Sequence, residues 1–198
     1  MLKIILGTQN EHKIYEMNLI SKPYGIEFQM PDTKNKAFDP IENGETFEEN
    51  AYIKAKAAYE CGGGELYLAD DSGLCVDYLD GAPGIKSARY ADTAEHRIEK
   101  LLDAIKDAKT PHERAAHFEC HLVLLDKNGE ILNRTKGICK GEIAFEKKGV
   151  NGFGYDPVFI VEKLNRTMAE LSDVEKNLHS HRGKALSDML VWLKHNCL

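Results

Sequence analysis

Two adjacent aspartates, Asp70 and Asp71, directly follow the apolar run Leu66–Ala69. Like charges a few ångströms apart raise each other's pKa unless a cation intervenes. Mg²⁺ prefers oxygen ligands and often bridges carboxylates to phosphates. With Glu42 as a third acid, this pattern predicts a hard-cation site. The alternatives are a capped turn for the aspartates and a solvated loop acid for Glu42.

A second group near the N-terminus has the features of an anion-binding loop. Thr8, Asn10 and Lys13 surround the start of a predicted helix, where free amides and the positive end of the helix dipole favour an anion. Lys13 adds a point charge suited to a phosphate. The loop contains one glycine, Gly7, and no Walker sequence, so an ordinary polar turn remains the alternative.

Basic residues gather before the last predicted helix, at Lys176 and across His179–Arg182. Positive charges near a helix N-terminus oppose the helix dipole and are therefore poor choices for stabilising that helix. This placement favours an anion or a nucleobase as their partner. Ordinary surface charge is the alternative.

A loop with three glycines, at 149–157, contains Phe153 and Tyr155 on either side of Gly154. Two aromatic rings at this spacing are suited to stacking on a planar base, and Asp156 is suited to accepting hydrogen bonds from the ring of that base. Aromatic residues packed in a core loop are the competing interpretation. Ser72, beside the acidic pair, offers a hydroxyl for a phosphate but is also a common turn residue.

Strands and helices alternate along the chain. Strands are predicted at 2–6, 26–30, 66–69, 74–79, 114–125, 130–139 and 158–161, and helices at 11–20, 46–60, 93–108 and 182–195, with a short helix between 167 and 175. The strands on either side of the turn at 126–129 form an antiparallel hairpin. We interpret residues 1–198 as a single α/β domain, either one unit or two lobes that share a mixed sheet.

Composition limits the class of protein. A chain of 198 residues buries a substantial core without disulfides, and its five cysteines are odd in number and widely scattered. The net charge of −6 argues against broad binding to nucleic acid. No leader peptide or membrane-spanning run is found. We therefore expect a cytoplasmic protein with reduced thiols that binds neither nucleic acid nor membrane.

The chemical motifs, taken together and in order, resemble the Ham1/inosine triphosphatase family. The match extends over essentially the whole chain, and the combination is specific although each motif alone is weak. It is carried by Thr8-x-Asn10-x-x-Lys13, Glu42-Asn-Gly-Glu-Thr-Phe47, Ala69-Asp-Asp-Ser-Gly-Leu74, Gly81-Ala-Pro-Gly84 with Ser87-Ala-Arg-Tyr90, Gly152-Phe-Gly-Tyr-Asp-Pro157 and Ser180-His-Arg-Gly-Lys-Ala185.

The resemblance implies an elongated mixed α/β fold with flanking helices and two lobes around a central substrate cleft. It also implies a homodimer and Mg²⁺-dependent hydrolysis of non-canonical purine nucleoside triphosphates, namely ITP, dITP and XTP, to the monophosphate and pyrophosphate.

Roles for individual residues also follow from the resemblance. Glu42 and Asp71 correspond to metal ligands, Asp71 is also the proposed proton acceptor, and Ser72 contacts the substrate. The triphosphate-binding segment comprises Thr8, Gln9, Asn10, Glu11, His12 and Lys13. The purine and its 6-oxo edge are bound by Phe153, Gly154, Tyr155, Asp156, Lys176, His181 and Arg182.

Some residues between the motif positions depart from the common family forms. These are Gln9, Glu11 and His12 in the first segment, and Asn151 where glycine is usual. Because Glu11 near a triphosphate is mildly unfavourable, we expect its side chain to point away. A metal-bound carboxylate is a weak base, so for Asp71 we favour orienting the attacking water over removing its proton.

Two other functions are compatible with the same residues. A septum-formation-type nucleotide pyrophosphatase shares the opening loop but prefers pyrimidine nucleotides. A non-catalytic nucleotide-binding module uses the same basic and aromatic groups but releases no pyrophosphate. A purely structural protein would show no Mg²⁺-dependent stabilisation by a ligand.

Overall fold

The computed structural model describes residues 1–34 and 36–197. Asn35, between the strand predicted at 26–30 and the helix predicted at 46–60, and Leu198, at the end of the predicted domain, lie outside the described residues. The strands are β1 (Leu2–Leu6), β2 (Ile26–Gln29), β3 (Leu66–Val76), β4 (Ala115–Asp126), β5 (Ile131–Ile143) and β6 (Phe159–Val161). The helices are α1 (Glu11–Ser21), α2 (Phe47–Cys61), α3 (Ala94–Ala104), α4 (Asp173–His179) and α5 (His181–Asn196).

The strands form one mixed sheet in the order β2-β1-β3-β4-β5-β6. Strand β1 pairs in parallel with both β2 and β3, whereas β5 and β6 are antiparallel. Neighbouring strands β4 and β5 are joined by a short turn, which only an antiparallel pair permits. The predicted fold class, a mixed α/β sheet with flanking helices, is confirmed.

The chain divides into two compact units. The first unit comprises Met1–Asp71, Cys120–Gly137 and Arg182–Leu198, and the second comprises Ser72–Glu119 and Ile138–His181. Strands β3, β4 and β5 contribute residues to both units. The expectation of a single domain spanning 1–198 stays a prediction.

In the first unit, helices pack on both faces of the sheet. Successive side chains of a strand point to opposite faces, so β1, β3 and β4 each supply residues to two cores. One core, against α1 and α5, contains Ile4, Leu6, Met17, Ile26, Phe28, Leu66, Leu68, Cys120, Leu122, Leu124, Ala185, Leu186, Met189, Leu190 and Leu193. The other, against α2, contains Ile5, Phe38, Ala51, Ala55, Ala58, Tyr67, Ala69, Val123 and Leu125.

The second unit has its own core around Leu101, Phe118 and Phe159, with α3 packed against it. Among its buried charged residues is Arg114, which is 3% exposed. The guanidinium of Arg114 donates hydrogen bonds to four backbone carbonyls, those of Ile105, Ala108, Ile143 and Ala144. One side chain thereby joins the end of α3 to the end of β5.

Several predicted boundaries were wrong. The helix predicted over 93–108 ends at Ala104, because Ile105 leaves the helical conformation and Arg114 binds the carbonyls of the turn that follows. The predicted strands at 66–69 and 74–79 are one strand to Val76, and Asp77–Leu79 form a 3₁₀ turn. A capping box formed by Thr46 and Glu49 begins α2, close to the predicted start at residue 46.

All five cysteines lie in the described part of the chain and are free thiols, as expected. No helix within residues 1–34 and 36–197 has the length and apolar character needed to cross a bilayer.

Candidate functional site

The acidic pair lies inside strand β3, and its two side chains point to opposite faces of the sheet. Leu66 and Leu68 belong to the core against α1 and α5, whereas Tyr67 and Ala69 belong to the core against α2. Continuing this alternation places Asp70 toward α1 and α5 and Asp71 toward α2. Each aspartate therefore meets different cations.

Asp70 is fully buried and paired with two cations. Lys13 Nζ lies 3.0 Å from its Oδ1, and Arg182 Nη2 lies 3.2 Å from its Oδ2. Burial alone would raise the pKa of Asp70, but Lys13, Arg182 and Lys54 hold it well below its usual range. Burial lowers the pKa of Lys13, and the nearby cations Lys54 and Arg182 lower it further, whereas Asp70 raises it. Asp70 is therefore an ionised counter-charge.

Arg182 contacts a second acid. Its Nη1 lies 2.7 Å from Glu16 Oε2 on α1, and the arginine is only 3% exposed. The last helix, predicted to begin at residue 182, begins one residue earlier, at His181, so Arg182 lies in its first turn. Lys176 and His179 precede it, as predicted. The repulsion between the Arg182 guanidinium and the positive end of the helix dipole is offset by two carboxylates, Asp70 and Glu16.

Asp71 shares a lysine with Glu42. Lys54 Nζ, from α2, lies 2.6 Å from Asp71 Oδ1 and 3.3 Å from Glu42 Oε2. Burial would lower the pKa of Lys54, but Asp71, Asp70 and Glu42 together raise it. Burial raises the pKa of Asp71 despite the attraction of Lys54. The lysine is therefore held as a cation between two predicted metal ligands.

Glu42 and Asp71 suit a hard divalent cation, since both offer carboxylate oxygens and both already converge on one positive charge. Within the described ranges no three His, Cys, Asp or Glu side chains form a ready metal-binding group. The protein would thus supply two carboxylates, and phosphate oxygens and water would complete the coordination of Mg²⁺, as that ion commonly requires.

The predicted anion loop is organised by its own side chains. Asn10 is the N-cap of α1, and its Oδ1 accepts hydrogen bonds from the amides of His12 and Lys13. Thr8 Oγ1 accepts from the Asn10 amide, and Gln9 Nε2 donates to the Phe38 carbonyl. These bonds fix the loop so that the ammonium group of Lys13 reaches Asp70. Like Gln9 and His12, Glu11 is exposed.

The predicted base-binding residues Phe153, Asp156 and Lys176 meet in the second unit. Asp156 Oδ2 accepts hydrogen bonds from Lys176 Nζ at 2.7 Å and from the Phe153 amide at 2.8 Å. Lys176 Nζ also lies 4.7 Å from the centroid of the Phe153 ring. Asp156 thus holds both a ring and a cation in place. All three glycines of this loop, including Gly154, have positive φ angles.

Tyr155 and His181 have partners inside the second unit. Tyr155 is 4% exposed, and its hydroxyl donates a hydrogen bond to the Ser87 carbonyl at 3.0 Å. Tyr155 therefore packs in the core, which agrees with the competing interpretation of this loop. The His181 ring stacks on Phe118, with centroids 4.6 Å apart and planes 10° apart. Ser72 is half-buried at the start of this unit.

Sequence reasoning missed Lys54 and Phe118. Lys54 lies on the buried face of α2 among Ala51, Ala55 and Ala58, and a lysine within a stripe of small apolar residues was the available signal. Phe118 fits the apolar alternation of its strand, so nothing in the sequence distinguishes it from other core residues. Asp70 was named, but its role as a counter-charge depends on contacts with residues distant in sequence.

Comparison with known proteins agrees with the sequence motifs. A model of the Ham1 family matches residues 4–192. A dITP/XTP pyrophosphatase of Treponema denticola is 44% identical over 200 residues, covering 98% of this chain and 99% of that protein. The structure of a HAM1 protein from Coxiella burnetii superimposes with a TM-score of 0.86 at 42% identity, covering 98% of this chain and 100% of that one. The Staphylococcus aureus Ham1 protein gives 0.84 at 39% identity, covering 98% of each chain.

Gly7 brings β1 against the backbone of Lys54, and this contact generates a prediction. A Cβ at Gly7 would lie 2.7 Å from the Lys54 carbonyl oxygen and 3.1 Å from the Ala69 Cβ. We expect Gly7→Ala to lower the free energy of unfolding by about 1–3 kcal/mol, because the backbone of α2 or β3 must shift. Urea unfolding of the two proteins measures the loss, and equal stability would show that the site tolerates the methyl group.

Proposed function

The chain belongs to the Ham1 family, and from that premise we propose that it hydrolyses non-canonical purine nucleoside triphosphates. Its substrates are ITP, dITP and XTP, its products are the monophosphate and pyrophosphate, and its role is to remove these nucleotides from the nucleotide pool. The observation that carries the proposal is the near-full-length match, at 44% identity, to a protein named dITP/XTP pyrophosphatase.

The charged cluster of the first unit is suited to a triphosphate. Three cations, Lys13, Lys54 and Arg182, are paired with four carboxylates, those of Glu16, Glu42, Asp70 and Asp71. With one more acid than base, this cluster needs added positive charge before a polyanion binds. That requirement supports Mg²⁺ as the cofactor.

We assign Glu42 and Asp71 to hold Mg²⁺. The ion, when bound, neutralises charge on the phosphates and polarises the phosphoryl group that is attacked. Asp71 orients the attacking water, and Lys54 fixes the Asp71 carboxylate through their 2.6 Å contact. Lys13 and Arg182 are held in position by Asp70. Positioning and charge neutralisation supply most of the rate in such phosphoryl transfers.

We assign the base to the group in the second unit. The ring of Phe153 offers a stacking face, and Lys176 offers a donor to a 6-oxo group. In a purine with a 6-amino group, that amino group would face the Lys176 ammonium, so two hydrogen-bond donors would oppose each other. Such a mismatch discriminates strongly against 6-amino purines. Ser72, Asp156 and His181 stay predicted substrate contacts. The homodimer and the cytoplasmic location also stay predictions.

The test is a pyrophosphate-release panel with ITP, XTP, dITP, GTP, ATP and UTP, each with and without Mg²⁺. We expect rapid release from the first three nucleotides in the presence of Mg²⁺ and little from ATP or UTP. Preference for UTP would identify the septum-formation type. Binding of ITP without release of pyrophosphate would identify a non-catalytic module.

Asp71→Asn separates binding from turnover. We expect this variant to bind ITP but to lose about 10²–10⁴-fold in kcat, because the amide cannot orient water and bind the metal as the carboxylate does. Calorimetry with a non-hydrolysable ITP analogue measures binding, and pyrophosphate release measures kcat.

The matched control is Asp107→Asn, which removes an exposed carboxylate outside the charged cluster. It should leave both quantities at wild-type values. Near-normal turnover in Asp71→Asn would contradict the assignment of Asp71.

A further inference from the structure

The loop that carries Glu42 is attached to α2 by two consecutive side chains. Glu49 Oε2 accepts hydrogen bonds from the amides of Glu45 and Thr46, at 2.7 and 3.1 Å. Asn50 Oδ1 accepts from the amide of Gly44 at 2.9 Å. Three successive amides of the loop, 44 to 46, are therefore fixed by the first turn of one helix.

The contact at Gly44 is close enough to determine its residue type. A Cβ at Gly44 would lie 2.7 Å from the Glu49 Cβ and 2.9 Å from Asn50 Oδ1. Only glycine lets the loop approach the asparagine at this distance. The contact lies two residues after Glu42, so it limits where the Glu42 carboxylate can reach.

Asn50 is fully buried and is only half satisfied. Its Oδ1 is the acceptor for Gly44, which fixes the orientation of the amide group, and its Nδ2 has no hydrogen-bond partner among the described residues. An unsatisfied buried donor costs about 1–3 kcal/mol, so this asparagine is a poor choice for stability. An apolar residue of similar size would remove that cost and would also release Gly44.

Asn50 lies one helical turn before Lys54, on the same face of α2. Lys54 Nζ contacts Glu42 and Asp71 directly, at 3.3 and 2.6 Å. One helix thus presents a cation to the Glu42 carboxylate and an acceptor to the backbone that carries it. The two contacts together define the place of Glu42 relative to Asp71.

We infer that Asn50 is the positioning residue of the metal-binding carboxylate Glu42, acting through the amide of Gly44. The inference rests on the proposed function, because it assigns Asn50 to the Mg²⁺ affinity of that site. Residues that orient metal ligands typically contribute about 10–100-fold in metal affinity or activity. Asn50 does not touch the substrate in this account.

The experiment compares Asn50→Leu with Asn18→Leu. Asn18 is an asparagine of the same unit with both halves of its amide satisfied, since it exchanges two hydrogen bonds with the backbone of Phe28. We expect Asn18→Leu to lose stability and keep its metal affinity. We expect Asn50→Leu to keep most of its stability and to bind metal about 10–100-fold more weakly.

Two readouts do not depend on turnover. Electron paramagnetic resonance measures the Kd for Mn²⁺ in the presence of a non-hydrolysable ITP analogue, and urea unfolding measures stability. Amide hydrogen exchange, with no metal present, reports whether Gly44 loses protection in Asn50→Leu. The smaller variant Asn50→Ala provides the same comparison if the leucine does not fit.

Wild-type Mn²⁺ affinity in a folded Asn50→Leu or Asn50→Ala variant would overturn the inference, as would unchanged protection of Gly44. Loss of stability with unchanged metal affinity would assign Asn50 a purely structural role. If the wild-type protein releases pyrophosphate without any need for Mg²⁺, the assigned metal role fails instead. The two failures are therefore distinguishable.

Discussion

The first unit depends on one buried carboxylate, that of Asp70. It lies at the centre of β3 and pairs with Lys13 from α1 and Arg182 from α5, two helices far apart in sequence. A charge buried without partners would cost several kcal/mol. Asp70 and Arg182 are buried, and Lys13 is half-buried. Because the carboxylate and the two cations require one another, the starts of both helices are tied to the middle strand of this unit.

Asp71 does not take part in the ion pairs of Asp70, because successive side chains of a strand point to opposite faces of the sheet. Asp71 points to the opposite face, where Lys54 and Glu42 meet it. The two adjacent acids thereby make their direct contacts with different cations, and the positive charge that the pair requires comes from side chains on both faces. Asp70 holds Lys13 and Arg182 in position, and Asp71 is the residue that binds the metal and orients water in the proposed reaction.

Much of this could be predicted from local sequence. The strand at 2–6 and the hairpin turn at 126–129 follow from short-range patterns, and the structure confirms them. The motifs also predict Lys13, Glu42 and Asp71 as site residues. In the structure Lys13 contacts Asp70, whereas Glu42 and Asp71 share Lys54. The apolar run at 66–69 predicts a strand that ends before the acids, because carboxylates rarely lie within a strand and the cations that allow it are distant in sequence. The extent of α3 was overestimated for a related reason, since buried Ile105 and Ala108 keep helical spacing within a turn that Arg114 holds.

The most direct test of the division between the two aspartates is the free energy of unfolding of Asp70→Asn beside that of Asp71→Asn, measured with urea in metal-free buffer. Asp70→Asn leaves Lys13 and Arg182 without their shared counter-charge and should lose about 3–5 kcal/mol. Asp71→Asn should lose much less, because burial already disfavours the ionised form of Asp71 and Lys54 keeps Glu42 as a partner. Equal losses, or a larger loss in Asp71→Asn, would contradict the account.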